Sequence, residues 1–101
     1  MFGKYILIGQ TPVPEPDLLT WAYWMEAEDR RVARTEVGAS IISTVFLGLD
    51  HGHLFDGPPL LFETMVFTDG ESGYMERCST WLEAEAQHQR IVDGVKAGAL
   101  K

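Results

Sequence analysis

Two β-rich runs, SIISTVFLGL over residues 40–49 and LLFETMVF over residues 60–67, are apolar on both of their faces. A strand sends successive side chains to opposite faces. In the first run Ile41, Val45 and Leu47 point one way, and Ile42 and Phe46 the other. In the second, Leu61, Met65 and Phe67 oppose Leu60, Phe62 and Val66. An antiparallel sheet with one wet face alternates more cleanly than this. The two runs are therefore expected at the centre of a sheet that is covered on both sides. A chain of 101 residues can cover one side with its helices. A second copy of the chain is the simplest cover for the other, so a homodimer or higher oligomer is expected, through an isologous sheet-to-sheet or sheet-edge contact.

The remaining elements follow from local signals. Tyr5–Ile8 is a short β-rich run ended by Gly9. In TPVPEP, residues 11–16, three alternate prolines enforce an extended link and block helix formation until the last of them. Asp17 is the N-cap expected for a helix over DLLTWAYWMEAED, with Leu18, Trp21, Ala22 and Met25 on one face and Trp24 beside it. Trp21 and Trp24 are expected to anchor its packing, though an exposed indole would suit a stacked base or a partner. Residues 31–37 alternate like a strand, and a hairpin across Gly38 joins them to the first long run. After the loop DHGHLFDGPP and the second long run, TDGESG is turn chemistry and YMERCS a further strand. Thr80 and Glu83 form a capping box, and Trp81, Ala84, His88, Ile91, Val92 and Val95 follow with helical spacing. Gly98 is a stop, with residues 97–101 expected to fray. The pattern predicts one α+β domain, an antiparallel sheet of three to five strands with two helices packed on one face.

Net charge bounds the partners. Fifteen acidic residues against eight basic give −7, which argues against general nucleic-acid binding, because displacing counterions from phosphates needs a basic surface. No apolar run is long enough to span a membrane, and the N-terminus lacks a signal peptide's apolar stretch and cleavage site. The single cysteine, Cys78, has no partner for an internal disulfide, which fits a reducing cytoplasm.

Candidate chemistry gathers around the central loop. Asp50, His51, His53 and Asp56 are metal-ligand types, yet structural zinc sites use four ligands and often cysteine. The one-residue spacing sets the two imidazoles on opposite sides of an extended segment. A shaped connector is the stronger reading, with Asp50 accepting amide hydrogens and glycines supplying unusual backbone angles. No metal and no cofactor are expected. The serines lie in no nucleophile-elbow context, and no glycine loop suits a phosphate. Glu63 is more informative, because a carboxylate inside an apolar strand must reach water, a cation or a cavity. Arg34 and Arg77, in flanking strands, are its candidate partners, either as a structural ion pair or around a polar ligand. His88, on the apolar stripe of the last helix, reads as a hydrogen-bonded core histidine.

The run ISTVFLGLDHGH…GPPLLFETMVF, with ERCSTWLEAEAQH after it and WAYWMEAEDRRVARTEVG before it, resembles a widespread family of small phage-encoded proteins. The likeness extends from about Lys4 to Val95. Cys78 stands where the family pattern has tyrosine, and Gln87 where it has glycine. The loop HGHLFDG also departs from a shorter glycine-rich form. The resemblance implies an accessory phage protein made in the host cytoplasm, with no established catalytic motif. By analogy of class it suggests counter-defence, a non-enzymatic protein that sequesters a small anionic ligand such as a cyclic nucleotide immune signal between subunits. The expected ligand-binding set is Arg34, Phe46, Asp50, His51, Glu63 and Arg77: arginines neutralise phosphate, aromatics stack on a base, and His51 or Glu63 orients it. The alternatives are an acidic inhibitor or modulator of host or defence proteins, and a small hydrolase using Asp50, His51 and Glu63.

Overall fold

In the computed structural model, residues 3–52 and 57–101 are described. A two-stranded antiparallel sheet opens the chain, β1 (Tyr5–Ile8) with β2 (Thr11–Pro14), followed by helix α1 (Leu18–Ala27). Strands β3 (Arg31–Val37), β4 (Ser40–Phe46), β5 (Phe62–Thr68) and β6 (Glu71–Cys78) form a four-stranded antiparallel meander in sequence order, and helix α2 (Trp81–Lys96) closes the fold. The architecture is α+β. No helix among the described residues is long and apolar enough to cross a membrane.

The proline stretch is a strand and not merely a link. Glu15 N–H donates to the Lys4 carbonyl at 2.8 Å, so the backbone amides of residues 11, 13 and 15 face β1. Pro12 and Pro14 then turn their missing donors to the outer edge, where no ladder bond is lost. Between β5 and β6 a two-residue turn at Asp69 and Gly70 takes positive φ at both positions (52° and 81°), which matches the twist of the paired strands.

The α2 stripe is Ala84, Gln87, His88, Ile91 and Val92, all buried. Its start is the expected capping box, with the Thr80 hydroxyl accepting from Glu83 N and the Glu83 carboxylate accepting from Thr80 N. The helix lies on one face of the meander and builds two apolar clusters there. One holds Ile42, Val66, Ile91 and Val92; the other holds Phe46, Leu61, Phe62 and Ala84. Leu61 joins Phe62 in the same cluster because β5 begins at Phe62, so the strict alternation expected from Leu60 onward starts later.

Helix α1 sits at the end of that same face. The Trp24 ring meets Phe46 edge-on at 5.7 Å, and Trp21 Nε1–H donates to the Gly48 carbonyl at 3.0 Å. Trp24, rather than Leu18, therefore carries the packing, and Leu18 stays 62% exposed. Gly48 (φ 76°) is where α1, β1 and the sheet meet: a Cβ there would run into the Met25 thioether. The last residues are docked instead of frayed. Tyr74 N–H donates to the Lys101 carbonyl at 2.7 Å, and Leu100 packs against the Ile42 cluster.

Candidate functional site

The other face of the meander is the feature that the two-sided apolar pattern anticipates. The strand registers order its side chains into rows that run across β3, β4, β5 and β6. Arg31, Val45, Glu63 and Arg77 make the first row; Arg34, Ser43, Met65 and Met75 the second; Glu36, Ile41, Phe67 and Ser72 the third. α2 lies on the opposite side and α1 meets the sheet at Phe46, also on that side, while Met25 and Glu26 of α1 border a cavity with Arg31 and Val45 at one end of this face. Ile41, Val45, Met65 and Phe67 are half-buried, and Met75 is 39% exposed.

A β-bulge sets the charge of this face. Arg31 and Arg34 are three residues apart and would fall on opposite sides of a regular strand. The register shifts at Val32, which packs with the Phe46 cluster on the helix side. The extra residue restores the phase, so both arginines stand on the open face. With Arg77 they oppose two carboxylates, Glu36 and Glu63. At the Arg31 end Glu26, Glu28 and Asp29 line a cavity with Arg31 and Val45, and Asp29 Oδ1 accepts from Arg31 N at 3.0 Å, so both signs of charge meet on this face.

Of the sequence-predicted residues, the structure brings Glu63 and Arg77 together. They are directly cross-strand, with Arg77 Nε donating to Glu63 Oε2 at 3.0 Å and the carboxylate side chain 17% exposed. Such half-buried pairs contribute about 1 kcal/mol, and removing the cation alone leaves a costly carboxylate. Arg34 shares the face but pairs along its own strand with Glu36 at 3.2 Å. Phe46 is fully buried on the opposite side, its ring between Trp24 and Phe62. Asp50 shapes the loop, as its residue type and neighbours suggest: Oδ1 accepts from Gly52 N at 2.8 Å and from Leu60 N at 2.9 Å. His51 is exposed, and its backbone N–H donates to the Leu60 carbonyl. Neither Asp50 nor His51 bonds to Glu63 or Arg77. His53 and Asp56 lie outside the described residues, among which no group of metal-ligating side chains gathers. Arg31 and Phe67 join the face without having been singled out in the sequence. Phe67 was legible from alternation; Arg31 was hidden by the bulge.

A second polar constellation runs between α2 and the sheet, separating the two apolar clusters. Gln87 Nε2 donates to Thr64 Oγ1 at 2.9 Å and to the Glu76 carbonyl at 3.1 Å. Thr64 Oγ1 lies 2.7 Å from Thr44 Oγ1, which lies 2.7 Å from His88 Nδ1. His88 Nε2 lies 2.8 Å from Thr35 Oγ1. One direction of donation satisfies every link: Gln87 to Thr64, Thr64 to Thr44, Thr44 to Nδ1, and Nε2–H to Thr35. The reverse tautomer leaves the Thr64 proton without an acceptor. Burial holds the His88 pKa below its ordinary value, so the neutral ring is the resident form. His88 is the satisfied core histidine that its place on the helix suggests.

Cys78 borders the Phe46 cluster. Burial, then the Glu83 and Glu76 carboxylates, push its thiol up to about 11, so it carries almost no thiolate at neutral pH. Glu76 is held below the ordinary carboxylate range, chiefly by its hydrogen bond from Arg90. Compared with known proteins, the chain matches no family model, no curated sequence and no solved structure.

Proposed function

We propose that this chain is a non-enzymatic, phage-encoded binding protein that sequesters a small anionic ligand on the open sheet face, at a subunit interface. The observation that carries the reading is the composition of that face. Arg31, Arg34 and Arg77 border a half-buried apolar floor of Val45, Met65 and Phe67, in a protein whose overall charge is −7. Guanidinium groups hold phosphate with paired hydrogen bonds, and three of them gather on this one face. An apolar floor with one aromatic ring suits a flat base. The ligand class is therefore a phosphate-bearing small molecule with an aromatic part, and a cyclic nucleotide immune signal answers to it. Counter-defence is the role that such capture would serve in a host cytoplasm.

Thermal shift and titration calorimetry against cyclic mono- and dinucleotides, nucleoside monophosphates and inorganic phosphate test the reading. A nucleotide is expected to raise the melting temperature of the wild-type chain, with the effect lost in Arg31→Ala/Arg34→Ala. If none of these ligands binds, while pulldown from host lysate recovers a single protein, the chain is a protein modulator and the capture reading fails.

A further inference from the structure

The open face has one occupant that its own charge pattern selects, a second copy of the same face. The sheet edges are poor docking sites. On β2 the prolines remove donors from the outer edge; on β6 the Tyr74 amide is taken by the Lys101 carbonyl; β3 carries a bulge and three charged side chains. These are the devices by which natural sheets refuse edge pairing. In the middle of the face Ile41, Val45, Met65, Phe67 and Met75 are contiguous, and the one charge on its central strands, Glu63, is neutralised by Arg77.

Two sheets packed about 10 Å apart can be related by a two-fold axis either along the strands or across them. An axis along the strands superposes β3 on β6 of the partner. It sets Arg31 against the partner's Arg77 and Val45 against the partner's Glu63. An axis across the strands, along the row Arg34–Ser43–Met65–Met75, keeps each strand over its own copy and exchanges the outer rows. It sets Arg31 against the partner's Glu36, twice by symmetry, Val45 against the partner's Ile41, and Glu63, already bonded to Arg77, against the partner's Phe67. Met65 and Met75 then pack on their own copies. The two Arg34 groups approach at the axis, each already bonded to Glu36 at 3.2 Å. Among the described residues Arg31 has no carboxylate within ion-pair distance in its own subunit.

We infer that the chain forms an isologous face-to-face dimer whose two-fold axis runs across the strands through the Arg34–Ser43–Met65–Met75 row, with Arg31 paired to the partner's Glu36. This rests on the capture reading for the face and moves its site: the dimer buries Val45, Met65 and Phe67 and engages Arg31, so a ligand in the dimer meets the paired Arg34 groups and not that floor. The arrangement places the paired Arg34 groups at one end of the axis, where a phosphate-bearing ligand would bridge both subunits.

Sedimentation velocity on the full chain at micromolar concentrations is the test, with circular dichroism melts to check that each variant folds. The wild type is expected at twice the 11.3 kDa chain mass. Arg31→Glu and Glu36→Arg each weaken association about tenfold or more, and the double exchange returns it to within about threefold of wild type. A second readout needs no variant: added salt weakens the wild-type dimer, because the pairs lie at the rim. A monomeric wild type, a double exchange no better than the single changes, or tighter association on Arg31→Glu alone would each overturn the inference; the last would select the axis along the strands. The two readings separate cleanly. A rescued dimer that no nucleotide stabilises leaves this arrangement standing and removes the ligand, whereas a monomer that binds a nucleotide does the reverse.

Discussion

Replacing Thr44 by valine isolates the polar seam beneath α2. The side chain is fully buried, and the change removes only a hydroxyl, so little cavity is made. Two groups lose their partners. His88 Nδ1, 2.7 Å from Thr44 Oγ1, keeps a lone pair with no donor, and the Thr64 hydroxyl, also 2.7 Å away, keeps a proton with no acceptor. A buried group left unpaired costs about 1–3 kcal/mol, so the expected loss for the two together is about 2–6 kcal/mol. At about 4–8 °C per kcal/mol for a domain of this size, the melting temperature falls by about 8 °C or more. Urea denaturation followed by circular dichroism measures the loss directly, with an unchanged slope indicating that the denatured state is the same. Thr44→Val combined with Thr64→Val costs less than the sum of the two, because the double change removes both ends of one bond while Gln87 keeps the Glu76 carbonyl. A single Thr44→Val loss under about 0.5 kcal/mol, or strict additivity in the double variant, would refute the account of one directional hydrogen-bond chain.

Acidification acts on the same seam. His88 has a pKa below its ordinary value of 6.5 in the folded state, so between those two values the unfolded chain binds more protons. Its contribution is complete above pH 6.5 and is lost as pH falls from there through the depressed folded value, at up to about 1.4 kcal/mol per pH unit. Melts across that window should show the slope in wild type and lose it in His88→Gln; a flat wild-type profile would contradict the buried neutral ring. Cys78, with its thiol near 11, should react with a maleimide far more slowly at neutral pH than a free thiol and reach full rate only on unfolding in urea. Prompt labelling of the native protein would show that the thiol is neither buried nor shielded.

Much of this protein is legible one residue at a time. The capping box at Thr80 and Glu83, the N-cap at Asp17 and the Asp50 turn to Gly52 all appear as local patterns, because each uses a side chain and a backbone group two or three residues away. Glu63 announces itself as a charge inside an apolar strand, and its cation follows from simple antiparallel pairing with Arg77. The strands β3 to β6 are likewise carried by their turns and by alternation. What escapes such reading depends on atoms brought close from far along the chain. The proline stretch becomes a strand because β1 offers the other half of the ladder. The C-terminal residues hold because Tyr74 supplies a donor for Lys101. Gln87, Thr44 and Thr64 look like ordinary polar residues until α2 lands on the sheet and encloses them with His88.

By itself, then, the sequence determined the two helices, the order of β3 to β6 and the two-sided apolar character of β4 and β5, since period and capping are local properties. Only the tertiary structure decided which face α2 covers, that Phe46 is spent in the core, and that the bulge at Val32 brings Arg31 and Arg34 to the same side. A one-residue change of phase is invisible in composition and pattern, because its stabilisation comes from where Val32 packs and not from anything adjacent to it in the chain.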